Sequence, residues 1–193
     1  MVRFSHFEYS DKHWSPLSEV GFSLPKLQAH RGYWVEGQGQ NTLGAVEAAA
    51  TLGFRMAEVD LRLTRDRVPV LFHDPFIFDV DQARKIRDLN LSELKGLIPV
   101  STLSEVLEQT PDDFYLNLEI KNESKTDFSL EEHLIQSLKD SPDRGRILFS
   151  SFNPFSLAWM VRLMPEIPRA LLVSQERADW NSLLLRELTF LRL

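Results

Sequence analysis

From Arg55 to Leu63 the chain alternates without interruption: Met56, Glu58, Asp60 and Arg62 fall on one side, Ala57, Val59, Leu61 and Leu63 on the other. Period two is the signature of an extended strand, whose successive side chains point to opposite faces. That spacing sets Glu58 and Asp60 on one face, one above the other. Two carboxylates so placed repel unless something cationic lies between them. Phe114 to Lys121 repeats the pattern, with Tyr115, Asn117, Glu119 and Lys121 on one side. Glu119 is thus a third carboxylate at a similar point of another strand.

Around these two segments the chain reads as a repeating order of strand and helix. Leu27 to His30 is a short apolar run ending in Arg31-Gly32, consistent with a first strand. Thr42 to Leu52 has a helical apolar face, with Thr42 or Asn41 to cap it and Gly53 to end it. Arg65-Asp66 reads as a turn, Val68 to His73 as the next strand, and Asp74-Pro75 as its stop. The stretch Asp79 to Ile98 is more polar, with a short helix over Ser92 to Leu97 capped by Ser92. Helices are expected over Thr102 to Gln109, Leu130 to Lys139 and Pro154 to Leu163, and from Trp180 onward. Strands are expected over Arg146 to Ser151 and Arg169 to Ser174. About six strands alternating with helices predict parallel βα units. A closed barrel and an open doubly wound sheet both satisfy that order. Open parallel sheets, covered on both faces, read as near-continuous apolar strands. Charged residues along one face of two strands favour the barrel.

A chain of 193 residues fits a single domain over 1–193, with the aperiodic first ~25 residues as an extended N-terminal arm. The net charge of −6 leaves no basic footprint, which argues against a nucleic-acid partner. Without cysteine there is no disulfide, no thiolate metal site and no thiol nucleophile. No apolar run reaches the ~20 residues that span a bilayer, and no signal-peptide core is visible near Met1. The expectation is a cytoplasmic protein with no transmembrane segment.

Three oxygen donors and no thiolate suit a hard divalent cation, Ca²⁺ or Mg²⁺. The competing reading is a set of salt bridges to Arg55, Arg62 or Lys121 on a solvated strand face. His30 and His73 each end a strand, where active sites of parallel βα folds lie, and two imidazoles there suit acid–base work. Taken singly, each is more often a surface or capping histidine; two at equivalent strand ends, with the carboxylates between them in sequence, favour function. Arg31 and Lys121 are candidates for holding phosphate oxygens, or for neutralising the carboxylates. Ser150, Ser151 and Asn153 read as turn formers, and Trp14, Tyr33, Trp34, Phe76, Phe78 and Phe152 as pocket wall or ordinary packing. His6, His13 and His133 have no such setting.

His30-Arg31-Gly32, Asn41-Thr42-Leu43, Glu58-Val59-Asp60, Thr64-Arg65-Asp66, Pro69-Val70 and His73-Asp74 together resemble the N-terminal signature of glycerophosphodiester phosphodiesterases. Leu118-Glu119-Ile120-Lys121 and Ser151-Phe152 resemble two later motifs of that family. The resemblance runs from about Leu27 to about Leu172, with motifs in order and at matching spacing. It implies a (β/α)8 TIM barrel of the phospholipase-C-like phosphodiesterase type. It implies one divalent cation on Glu58, Asp60 and Glu119, His30 and His73 as the acid–base pair, and Arg31 and Lys121 beside the phosphate. The implied reaction hydrolyses a small glycerophosphodiester to sn-glycerol 3-phosphate and an alcohol. Two departures stand out. Gln40 replaces the glutamate usual before Asn-Thr, and the sequence stops at Leu193, short of two further βα units. About six units leave such a barrel open, so the expectation is a fragment or a chain that self-associates through its free edge. A lysophospholipase D-like activity and a non-catalytic module binding a phosphate ester or a protein are the alternative functions.

Overall fold

The computed structural model describes residues 25, 27–34, 39–79 and 82–173. The expected N-terminal arm, His6, His13, Trp14 and the helix from Trp180 lie outside them. The described elements run β1 (Ala29–His30), α1 (Leu43–Thr51), β2 (Met56–Leu63), β3 (Pro69–Leu71), β4 (Phe76–Asp79), β5 (Gln82–Lys85), α2 (Leu91–Leu97), α3 (Leu103–Gln109), β6 (Tyr115–Ile120), α4 (Ser129–Leu138), β7 (Ile147–Ser151), α5 (Pro154–Leu163) and β8 (Arg169–Leu171).

Strands β1, β2, β6, β7 and β8 pair in that order, each parallel to the next. Spatial order therefore follows chain order, with no reversal of direction across the sheet. A doubly wound sheet would show such a reversal. The arrangement is the arc of a TIM barrel, with helices crossing from strand to strand on one side.

One expected strand departs from that scheme. β3 pairs antiparallel with β2, Leu61 opposite Leu71 and Leu63 opposite Pro69. The link between them is too short for anything else, because a parallel return needs a crossover of a dozen or more residues. Thr64 N–H donates to Val68 O (3.1 Å), Val68 N–H donates to Thr64 Oγ1 (2.9 Å), and Arg67 takes a left-handed φ of 67°. The polar stretch after β3 holds a β4–β5 hairpin that its composition did not announce. Ile77 of that hairpin packs with Val70, Ile86, Leu89 and Leu94 in a small core of their own. The cap of α2 is Asn90, not Ser92, with Glu93 Oε2 accepting from Asn90 N–H at 2.8 Å.

The main core lies between the outer face of the sheet and the helices. Val59, Leu61, Leu116, Leu118 and Phe149 meet Val46, Ala49, Val106, Leu134 and Met160, all fully buried. The inner face starts apolar, with Met56 and Leu148 packed against Tyr115 and Ala170. Farther along the same strands it turns acidic. Gly32 fixes how α1 leaves β1: its φ is 77°, and a Cβ there would meet the Ala45 backbone carbon at 2.6 Å.

Candidate active site

The register sets the acidic residues side by side. In the β2–β6 pair Glu58 stands opposite Asn117 and Asp60 opposite Glu119. Glu58, Asp60 and Glu119 are all buried, so the reading of a solvated strand face does not hold. Each offers one carboxylate oxygen, and those oxygens lie within 4.8 Å of one another.

Their partners differ. Asp60 is held on every side: Asn41 Nδ2 donates to Oδ2 at 2.7 Å, Arg31 Nε lies 3.1 Å from Oδ2, and Lys121 Nζ lies 2.9 Å from Oδ1. Burial alone would raise its carboxyl, but Lys121, Asn41 and Arg31 hold it below its usual value. Glu119 Oε1 accepts from Lys121 Nζ at 2.5 Å. Burial still raises Glu119, against that cation. Glu58 Oε2 accepts from Arg31 N–H at 3.0 Å, and its Oε1 is buried without any donor. Burial, with Asp60 and Glu119 nearby, pushes the Glu58 carboxyl up to about 8. A site with two of its three acids forced toward the protonated form, and one buried oxygen lacking a partner, fits a divalent cation. Such an ion replaces the missing donor and cancels the mutual repulsion.

The histidines and cations come from strand ends and loops. His30 Nε2 lies 3.7 Å from Glu58 Oε2, and burial followed by the Arg31 charge lowers its pKa from 6.5. His73 follows β3, where Phe72 N–H donates to Asp60 O at 2.9 Å. Its Nδ1 lies 2.7 Å from Asp74 Oδ1. A carboxylate only accepts, so that pair puts the hydrogen on Nδ1 and leaves Nε2 for proton exchange. Arg31 sits in the left-handed region (φ 59°), which turns its N–H to Glu58 while its side chain reaches Asp60 and Gln40. Gln40 Oε1 accepts from Arg31 Nη1 at 3.0 Å, so the glutamine at this departure point still serves the arginine.

Asn41 is a site residue that sequence reading reduced to a helix cap. Thr42 is the cap, its side chain accepting from Ala45 N–H. Asn41 instead clamps Asp60 twice, accepting from its N–H at 2.9 Å and donating to its carboxylate. It takes a left-handed φ of 56°, which asparagine tolerates better than most residues, and the signal available in the sequence was its place in the Asn41-Thr42-Leu43 motif. Of the expected salt-bridge partners only Lys121 reaches the carboxylates: Arg55 pairs with Asp113 and Arg62 with Glu123. Asn153 caps α5 and donates to Asn122 O and Ser124 O, a turn role as expected. Ser151 donates to Ile120 O, while Tyr33, Trp34, Phe76, Phe78 and Phe152 are all exposed. No helix among the described residues is long and apolar enough to cross a membrane.

Comparison with known proteins agrees with this geometry. A glycerophosphodiester phosphodiesterase of Caldanaerobacter subterraneus subsp. tengcongensis is 32% identical over 158 residues, covering 75% of this chain and 65% of the relative. The chain thus spans just under two thirds of that protein's length. The structure of an Oleispira antarctica phosphodiesterase in complex with the product sn-glycerol-3-phosphate superposes with a TM-score of 0.72 at 32% identity, covering 84% of this chain and 72% of that one. A glycerophosphodiester phosphodiesterase from Thermotoga maritima gives 0.62 at 32% identity, covering 77% and 62%. The model of the glycerophosphoryl diester phosphodiesterase family matches residues 30–192, from the histidine beside Glu58 to nearly the last residue. With the open barrel arc and the buried acidic triad at one end of it, that match places the chain in the glycerophosphoryl diester phosphodiesterase family.

Proposed function

We propose that this chain hydrolyses glycerophosphodiesters to sn-glycerol 3-phosphate and an alcohol with the help of a divalent cation. The observation that carries the reading is the convergence of Glu58, Asp60 and Glu119 within 4.8 Å, with His30, Arg31 and Lys121 against those carboxylates. Glu58, Asp60 and Glu119 would hold the ion, and an all-oxygen donor set suits Ca²⁺ or Mg²⁺. A bound ion of that kind neutralises phosphoryl oxygens and acidifies the nucleophile. Arg31 and Lys121 already lean on Asp60 and Glu119, close enough to share a substrate phosphate with the site. His30, whose pKa burial holds low, is uncharged near neutrality and suited to take the proton of the nucleophile. His73, steadied at Nδ1 by Asp74, would in its doubly protonated form pass the Nε2 proton to the leaving alkoxide as the P–O bond breaks. The Oleispira phosphodiesterase holds sn-glycerol-3-phosphate as its product, and the same acid is the product proposed here. The cytoplasm is the compartment we propose, since a cysteine-free chain has no disulfide to lose there.

The test is choline release from glycerophosphocholine by the chain and by Glu58→Ala, with and without EDTA. Wild type should lose activity in EDTA and regain it with Mg²⁺ or Ca²⁺, and Glu58→Ala should fall about 10³-fold. Turnover that survives both treatments rules the mechanism out.

A further inference from the structure

Arg62 is the charged residue on the acidic face of β2 whose polar contacts all lie outside the triad. Its side chain is 11% exposed. Nε and Nη2 both donate to the main-chain oxygen of His73, at 3.0 and 2.8 Å. Nη1 donates to the main-chain oxygen of Lys121 at 3.0 Å and to Glu123 Oε1 at 2.9 Å. One planar fork therefore spans two loops that leave different strands, gripping one at His73 and the other at Lys121, whose ammonium lies on Asp60 and Glu119. Glu123 is 74% exposed and adds little to that grip.

We propose that Arg62 is a positioning residue: its guanidinium sets the spacing between His73 and Lys121, and thus between the proton donor and the phosphate-binding cation. The inference rests on the roles given to those two residues above. Apart from this bond, His73 is held by Asp74, an exposed neighbour in sequence. Lys121 has a further main-chain anchor, its N–H donating to Leu61 O at 3.2 Å. His73 should therefore move more than Lys121 when the guanidinium goes.

The full chain carrying Arg62→Gln, Arg62→Lys or, as a control, Glu123→Gln separates the two roles. Hydrolysis of glycerophosphocholine and the ring resonances of the histidines are measured together, with thermal unfolding alongside. Arg62→Gln should lower kcat about 10- to 100-fold, the penalty of a misplaced catalytic group, and shift the His73 ring signals while those of His133 stay. Arg62→Lys should regain part of kcat, and Glu123→Gln should stay within about twofold of wild type. Overturning results are kcat within twofold of wild type in both Arg62 variants, or His73 signals that do not move in folded protein. Wild type that hydrolyses nothing defeats the proposed function, and the histidine signals then decide the positioning role alone. If Arg62→Gln does not fold, Arg62→Lys carries the same two readouts.

Discussion

Among the described residues, buried carboxylates occur in two places, and they behave differently. Glu58, Asp60 and Glu119 line the inner face of the barrel arc, from two adjacent strands, with oxygens within 4.8 Å of one another. Glu131 stands alone on α4, fully buried in the outer layer, where Asn122 Nδ2 donates to both its oxygens at 2.9 and 3.0 Å. Burial raises the pKa of Glu58, Glu119 and Glu131 alike. Burial is therefore not what marks the site. Convergence is: the triad draws acids together with Arg31, Lys121 and an undonated oxygen, whereas Glu131 is one acid answered by neutral donors, the Ser156 hydroxyl and the Asn122 amide. The first arrangement asks for a ligand, and the second ties the loop after β6 to α4.

The largest expected effect comes from breaking the triad at its best-held member. Asn41 donates to Oδ2 and Lys121 lies on Oδ1, so the NH2 of Asp60→Asn meets a donor whichever oxygen it replaces, and the charge is lost with that contact. Phosphodiesterase turnover should fall about 10³-fold, and calorimetric titration should find no saturable Mg²⁺ or Ca²⁺ site. An Asp60→Asn protein that still binds either ion with wild-type affinity breaks the distinction between the two sets of acids.

The next effect is on stability alone. Below the triad the same strands carry Met56, packed with Leu148, Tyr115 and Ala170. Met56→Ala should cost about 2–5 kcal/mol by cavity formation, and leave the ion affinity within about twofold. Urea unfolding and titration on one sample read both numbers. A variant that loses ion binding while keeping its stability reverses the assignment of the two ends of the barrel.

The contrast explains how far sequence alone reached. Period two was enough to pair Glu58 with Asp60 and to place Glu119 on a matching face, because alternation is a local property of one strand. Pro154–Leu163 was legible to the residue, since Asn153 and Pro154 both signal a helix start. What failed was not local. The direction of β3 depended on how tightly Thr64 to Val68 closes, and the β4–β5 hairpin on apolar partners as distant as Leu94. Asn41 and Arg62 were missed for the same reason: their work lies in bonds to Asp60, His73 and Lys121, across 11 to 59 residues of chain. The neighbours of Arg62 in sequence carry no hint of those partners.

The smallest effect tests the lone acid. Glu131 has its folded pKa raised above the ordinary 4.5 by burial, which outweighs its hydrogen bonds. A carboxyl raised on folding gives stability that is complete below the unfolded pKa and is lost as pH rises through the folded one. Wild type should therefore lose stability, through this group, as pH climbs above the ordinary carboxyl range. Glu131→Gln keeps an acceptor for Asn122 and removes the charge, so the difference in urea midpoint, variant minus wild type, should grow over that climb. The loss at pH 5 should stay within about 1 kcal/mol, one hydrogen bond's worth. Turnover should not change, because Glu131 touches Asn122 and none of the triad. Measuring the difference between the two proteins cancels Glu58 and Glu119, which share the same sign. Parallel midpoints from pH 5 to 8 would mean that Asn122 keeps Glu131 ionised without penalty, and the lone acid would then belong with Asp60, whose donors hold it low, and not with Glu58.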